Sequence, residues 1–437
     1  MKRYEAYKPT ETNWIPSVPI TWDMKKIVHL FSQRKEKVSD RDFPPLSVTK
    51  NGILPQLDNA AKTDDGDNRK RVCVGDFVIN SRSDRKGSCG VSTLEGSVSL
   101  INIVLQPRQQ LTGNYAHYLL RSQPFSEEFY RNGRGIVADL WTTRYSEMKT
   151  ILLPVPPREE QDQIVRYLDW QVSKINRLIA AKRKEIDAIH DMEHLYIDHV
   201  FSEIANQKTI RLKYLVEQFV DCPHETPEYC KDGDYCVIRT ADQDYGCLRS
   251  ETLMYRLTES EYTNRIRRAP LNAGDIVYGR EGERWGLACV IPESEKFCLG
   301  QRIMQFVCNK QMVTPEYVMW ALNSSYVRNQ GILDTMGSTS PHVNISTIIN
   351  FRIPYTSREH QDTLVSKIEC TMQKYRQLCE RIENEIQLLH DLRIRLISDV
   401  VTGQIDVRGI KVPDDEYINN EITEEEFEEE SENNEEE

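Results

Sequence analysis

The chain carries one plan twice, about 200 residues apart, and nothing else in it constrains the fold as strongly. In the first half, Gly75-Asp76-Phe77-Val78 leads to Pro154, to Arg158-Glu159-Glu160-Gln161, and then to a long stretch of periodic apolar residues. In the second half, Gly274-Asp275-Ile276-Val277 leads to Pro354, to Arg358-Glu359-His360-Gln361, and to another such stretch. Pro154 and Pro354 are 200 positions apart, as are Gln161 and Gln361, while Gly75 and Gly274 are 199 apart. So little drift predicts two similar modules related by an approximate twofold, an object suited to gripping something with two halves.

A length of 437 residues fits two globular domains. The hydrophobic fraction of 39% goes with a chain that also carries long exposed helices. The start, Met1-Lys2-Arg3-Tyr4-Glu5, has no apolar leader, and no later run is long enough to span a bilayer, so a cytoplasmic location is expected. The net charge of −12 is concentrated at one end: residues 414–437 hold 14 of the 68 acidic side chains and no Lys or Arg. The rest sets 56 basic against 54 acidic residues, close to neutral and compatible with local basic patches. The acidic tail is expected to be a solvated, disordered end. Eleven cysteines without a leader argue against a disulfide framework. Cys222, His224, Cys230 and Cys236 include no C-x-x-C pair and match no common zinc spacing, so reduced thiols and no metal are expected.

Five segments follow: a module over 1–157, a long helix over 158–206, a second module over 207–354, a second long helix over 355–402, and a terminal segment over 403–437. Short runs rich in β-branched residues predict strands at 71–74, 76–80 and 98–105, then at 235–238, 275–278 and 305–307. A helix is expected from Tyr115 to Tyr130. Pro156-Pro157 stops the preceding strand, and Glu159 and Glu160 favour a helix start. Beyond it Ile164, Leu168, Val172, Ile175, Leu178, Ile179, Ile186 and Ile189 recur at spacings of three and four. Leu364, Ile368, Met372, Leu378, Ile382, Ile386, Leu389, Leu392 and Leu396 repeat the pattern in the second copy. Such seams need a partner, and the two helices supply each other in an antiparallel coiled coil. The fold class is therefore α+β: two globular modules separated by a pair of long helices.

The chain has no G-x-x-x-x-G-K-[ST] loop, no dinucleotide fingerprint, no Asn-Pro-Pro-aromatic segment, no HExxH and no G-x-S-x-G. A binding protein rather than an enzyme is expected.

At this point the motifs carry a resemblance. Pro156 through Ile164, Pro354 through Gln361, and the segment Leu396-Ile397-Ser398-Asp399-Val400-Val401-Thr402-Gly403-Gln404-Ile405-Asp406-Val407-Arg408 are similar to the conserved regions of specificity subunits of type I restriction-modification systems. Trp14, Ile15, Pro19 and Trp22 resemble the amino-terminal motif of that family, with Pro16 where glycine is more usual. The resemblance covers residues 1 to 410, and His360 and the acidic tail depart from it. It implies that each module is a target recognition domain reading half of an asymmetric bipartite sequence in double-stranded DNA. The helices would be a spacer and a dock for two methyltransferase subunits, which bind S-adenosylmethionine, and through them for endonuclease/translocase subunits that use ATP and Mg. No cofactor is implied in this chain. Gln161, Gln361 and Gln404, within the family motifs, are the candidate partner-binding residues.

Candidate DNA contacts come from aligning the copies. Asn80-Ser81-Arg82-Ser83-Asp84-Arg85-Lys86-Gly87 lies opposite Gly279-Arg280-Glu281-Gly282-Glu283-Arg284-Trp285-Gly286. Asn80, Arg82, Arg85, Lys86, Arg280, Arg284 and Trp285 are candidates there, since Arg reads guanine with two donors and Asn reads adenine. A second loop, with Arg134, Trp141, Thr142, Thr143 and Arg144, matches one with Ser338, Thr339, Ser340 and His342; Trp141 is the one expected in a core. The cluster Arg69-Lys70-Arg71 is suited to phosphates. Two alternatives stay open: a self-contained restriction or modification enzyme, for which the chain has neither room nor motif, and a DNA-inactive scaffold or regulator that binds methyltransferase subunits.

Overall fold

A computed structural model describes residues 2–56, 66–135, 141–282, 284–335 and 341–413. The chain forms two compact units, Met1–Lys182 with Glu383–Glu437, and Arg183–Ile382. Each unit therefore combines one globular module with part of both long helices.

The repeated Gly-Asp pair makes the same turn in each module. Gly75 and Gly274 both have φ of 87°, which a side chain resists. The Asp76 N–H donates to Cys73 O and the Asp275 N–H to Asn272 O, both at 3.0 Å. Positive φ at the third residue of such a turn is the type II pattern. The aspartate then caps its own turn, accepting from Cys73 N–H at 2.9 Å or Asn272 N–H at 2.8 Å. The carboxylates are partnered differently. Arg34 grips Asp76 with two bonds of 2.7 and 3.1 Å, whereas the Gln305 amide donates to Asp275 at 2.7 Å.

Downstream of each turn runs the central strand of a four-stranded antiparallel sheet. In the first unit Phe77–Asn80 lies between Cys89–Val91 and Asn102–Pro107, with Phe31–Gln33 beyond. In the second, Ile276–Gly279 lies between Ala288–Val290 and Ile303–Cys308, with Val216–Asp221 beyond. Both units add a three-stranded sheet. Arg69–Val72 is flanked by antiparallel neighbours, whereas Tyr235–Ile238 runs parallel to Phe297–Leu299.

The helix expected over Tyr115–Tyr130 is two helices, Gly113–Arg121 and Gln123–Arg131. Ser122 breaks it: its backbone is extended (φ −63°, ψ 146°), its hydroxyl donates to Leu119 O, and Pro124 opens the next helix. Ser324 separates Pro315–Asn323 from Ser325–Arg328 in the same way. Core aromatics hold the sheets and helices together, with Trp22, Phe77, Tyr115 and Phe129 in the first unit and Tyr278, Phe306, Tyr317 and Trp320 in the second.

The long helices are Arg158–Ala205 and Arg358–Val401. Within the first unit they run antiparallel: Lys182 pairs with Glu385 at 2.9 Å, and Arg393 donates to Asn176 at 2.8 Å. Most seam residues are buried or half-buried, but Leu178, Leu378 and Leu392 are exposed, and Cys379 is buried beside Leu378. An unbroken helix drifts relative to a strict seven-residue repeat, so a fixed spacing does not stay on one face.

Residues 403–410 meet the amino-terminal segment in the first unit. Gly403, with φ of 76°, ends the second helix in the left-handed conformation, and a Cβ there would stand 2.5 Å from Pro19 Cδ. Tyr7 donates to Gly403 O at 3.1 Å, and the Asp406 N–H to Lys2 O at 2.9 Å. Gln163, on the first helix, donates to Val407 O and Ile410 O.

Candidate nucleic-acid interface

In each module the two loops singled out from the sequence come together. In the first, the Ser83 N–H donates to Trp141 O at 3.2 Å and the Thr143 N–H to Ser81 O at 2.9 Å. In the second, the Gly282 N–H donates to Pro341 O at 2.8 Å and the Val343 N–H to Arg280 O at 3.1 Å. Thr142 is bridged to both Arg82 and Arg134, as Glu281 is to His342. The duplication thus extends to individual hydrogen bonds.

The first junction presents free cations. Asn80 accepts from the Arg82 N–H at 3.1 Å, a local turn that lifts the chain out of the strand. Ser83–Arg85 then forms a short 3₁₀ turn, closed by Gly87 at φ 85°. Tyr130 fixes its underside by donating to Arg85 O at 3.2 Å. Arg82, Arg85 and Lys86 stay exposed, and no acidic partner for them occurs among the described residues. Arg134 stands 4.0 Å from Glu147 and is almost fully exposed; Arg144 is exposed also. Trp141 is half-buried, donating to Tyr130 O at 2.7 Å. Gly133 is required beneath it, because a Cβ would meet the indole nitrogen at 2.3 Å.

Several other expected contacts are spent inside the protein. The Thr143 hydroxyl is buried and donates to Phe129 O. Arg69 is buried and donates to the Ser97 backbone and hydroxyl, and Lys70 donates to Leu100 O and Asn102 O. Burial lowers the pKa of both, since desolvation disfavours the charged form. Arg71 pairs with Glu36 and lies over the Phe43 ring. This basic cluster is mostly strand architecture: Arg69–Val72 is the middle strand of its sheet, and its side chains alternate between the two faces whatever their charge.

The second junction differs in the same respect. Trp285 belongs to the core, with Arg328 stacked 5.0 Å above it. Arg280 is buried between Glu281 at 2.7 Å and Asp221 at 3.8 Å. Arg284 donates to Gln243 O at 2.7 Å and faces Asp244 at 3.6 Å. His342 is exposed, while Ser338, Thr339 and Ser340 lie outside the described residues.

Gln161 and Gln361 are internal braces rather than docking residues. Gln161 donates to Gln110 O and Pro156 O and accepts from the Thr112 N–H; Gln361 repeats this with Met312 O, Thr356 O and the Thr314 N–H. Both are buried, so no polar atom is left for a partner. Gln404, half-buried, sits 3.5 Å from Ser17 O. The exposed apolar residues on the helices are Leu178, Leu388, Leu392 and Ile394 in the first unit, and Met192, Leu195 and Leu378 in the second.

Of the four residues weighed for zinc, Cys222 and His224 group with Asp221, their ligand atoms within 4.8 Å of one another. The trio is already balanced by protein groups. Asp221 faces Arg280 and His224, and Cys222 is buried, which raises the pKa of its thiol.

No family model matches the chain. A curated relative, the type I restriction enzyme MjaVIII specificity subunit of Methanocaldococcus jannaschii, is 21% identical over 282 residues. That match covers 60% of this chain and 64% of the relative, so the chain spans less than two thirds of that protein's length. Among solved structures, the HsdS subunit from Thermoanaerobacter tengcongensis aligns at 14% identity with a TM-score of 0.47, over 89% of this chain and 98% of that one. A chain from a study of complex assembly and conformational transition in a type I restriction-modification system is 13% identical. It aligns with a TM-score of 0.61 over 89% of this chain and 99% of its own length. The chain thus shares the fold of a chain from a type I restriction-modification system, and its sequence is similar to that of a type I restriction specificity subunit.

Proposed function

We propose that this chain is the noncatalytic specificity subunit of a type I restriction-modification complex, reading an asymmetric two-part target in double-stranded DNA. The observation that carries the reading is the repeated loop junction, built from equivalent hydrogen bonds in both modules but lined by different side chains. Equivalent scaffolds suit two half-sites, and unlike side chains make the half-sites differ. In the first module Arg82, Arg85 and Lys86 supply the unpaired positive charge that draws phosphates, and exposed Arg82 carries the paired donors that suit a guanine edge. Methyltransferase subunits, carrying S-adenosylmethionine, dock on the long helices, where Leu388, Leu392 and Ile394 offer apolar surface that the fold does not cover. Endonuclease subunits using ATP and Mg join through them. Among the described residues no helix is long and apolar enough to cross a membrane, in keeping with work in the cytoplasm on chromosomal and invading DNA.

The alternative is a DNA-inactive scaffold for methyltransferase subunits, favoured by the number of cations tied up inside the modules. Genome-wide adenine methylation, in cells with the partner methyltransferase and with or without this chain, separates the two. A new asymmetric two-part motif that needs this chain supports the specificity subunit. Unchanged methylation, with the partner folded and bound, supports the scaffold.

A further inference from the structure

Among the described residues Arg302 and Glu295 are the only non-glycine residues with positive φ. Glu295 lies in an exposed turn, but Arg302, at φ 70°, stands where the second module's two loops join. Arginine adopts this backbone only where its surroundings impose it, and such residues concentrate at working sites. The surroundings here are explicit. Arg302 O accepts from the Arg280 N–H at 2.9 Å, which ties this backbone to the start of the loop. One guanidinium nitrogen lies 3.7 Å from where a Cβ of Gly282 would be, so the side chain rests against the loop that bonds to Pro341.

The neighbouring carboxylates are engaged elsewhere: Glu281 holds Arg280, and Asp221 faces Arg280 and His224. Among the described residues Arg302 has no ion-pair partner, unlike Arg280 and Arg284. In the first module the residue preceding the equivalent strand is Ile101, and the free cations sit on the 82–86 turn instead. The second module has moved its available cation from the loop to the opposing strand.

We infer that Arg302 is the base-reading residue of the second module and that it recognises a guanine edge. This rests on the DNA-binding reading above. Guanine readout needs a two-pronged donor presented from a defined backbone, and the Arg280 N–H bond to Arg302 O, with the side chain resting against Gly282, supplies that presentation; a phosphate contact does not need it.

The test is selection of a randomised duplex pool by the full-length chain, with wild type beside Arg302→Gly and Arg302→Asn. Both replacements suit positive φ, so the fold is retained, as far-UV circular dichroism and the melting midpoint should show. Wild type is expected to enrich a two-part motif. The variants should lose about tenfold or more of the preference for one guanine in one half, with the other half unchanged. Two results overturn the inference while leaving DNA binding intact. One is an unchanged motif in both variants. The other is a uniform loss across all sequences with a shallower salt dependence, which marks a phosphate contact. A wild-type chain that enriches nothing overturns the DNA-binding reading itself, and this inference with it.

Discussion

The Tyr4 hydroxyl donates to the Glu160 carboxylate over 2.5 Å, and the Trp22 indole donates to the same oxygen at 3.0 Å. One carboxylate at the start of the first long helix thus ties down the amino-terminal segment. Burial, together with the Glu160 bond and charge, pushes the Tyr4 hydroxyl well above the usual tyrosine range. In the second copy the equivalent position is His360, exposed and beside the Thr356 hydroxyl. Glu160→Ala leaves two buried donors unsatisfied and is expected to destabilise the first unit by roughly 2–4 kcal/mol. His360→Ala should change stability by no more than about 0.5 kcal/mol. Differential scanning calorimetry, which resolves the units if they melt separately, checks both.

Gly403→Ala tests how tightly residues 403–410 are joined to the amino-terminal segment. The new methyl would meet Pro19 at 2.5 Å on a backbone with φ of 76°. A loss of roughly 2–4 kcal/mol is expected, read as a lower urea midpoint and faster hydrogen exchange in residues 2–22.

His117 gives the first unit a pH dependence. Burial, and secondarily Arg121, lower its pKa to about 3, and its Nε2 lies 2.8 Å from the guanidinium, a contact that suits the neutral ring. The unfolded chain takes up this proton near pH 6.5 and the folded chain does not, so folding is favoured above that pH. Between about 6.5 and 3 stability falls with falling pH, by at most about 1.4 kcal/mol per unit. His117→Gln should flatten that slope in urea titrations across this range; an unchanged slope means another group carries it.

The two kinds of residue considered for partner docking separate cleanly. Gln161→Ala removes a brace with three buried bonds and should lower the melting midpoint of the first unit, at a cost of about 2 kcal/mol. Leu388→Lys with Leu392→Lys changes side chains that are 67% and 49% exposed. The fold should tolerate this within about 0.5 kcal/mol, while co-purification of the methyltransferase subunit is lost. Docking retained by the double variant would move the interface elsewhere on the helices.

Lys86→Ala should weaken DNA binding about equally for all sequences and reduce the slope of log affinity against log salt by about one. Arg69→Ala should instead act on stability, since that guanidinium is already bonded to Ser97. Binding isotherms at several salt concentrations distinguish the two.

What the sequence revealed and what it hid have physical causes. The Gly-Asp turns and paired loops were legible because a glycine forced to positive φ and an aspartate capping its own turn need those residues at those places. The break at Ser122 was hidden because Leu119 and Leu120 continue the apolar pattern up to it and Phe125 and Phe129 resume it after. Gln161 and Gln361 were misassigned because a motif marks a position as required without saying whether it binds inward or outward. Arg302 was missed for a related reason: its backbone is tied to Arg280, 22 positions earlier, by strand pairing, and no local pattern records that.

The joining of residues 396–410 to the amino-terminal segment also bears on synthesis. The second unit is continuous, Arg183–Ile382, and has all its strands once those residues have left the ribosome. The first unit needs Leu396, Val400, Val401 and Val407 in its core and Gly403 against Pro19. The module made first is therefore the one completed last, and until residues 383–410 arrive the nascent chain holds Trp22, Ile164 and Leu168 without their full cover.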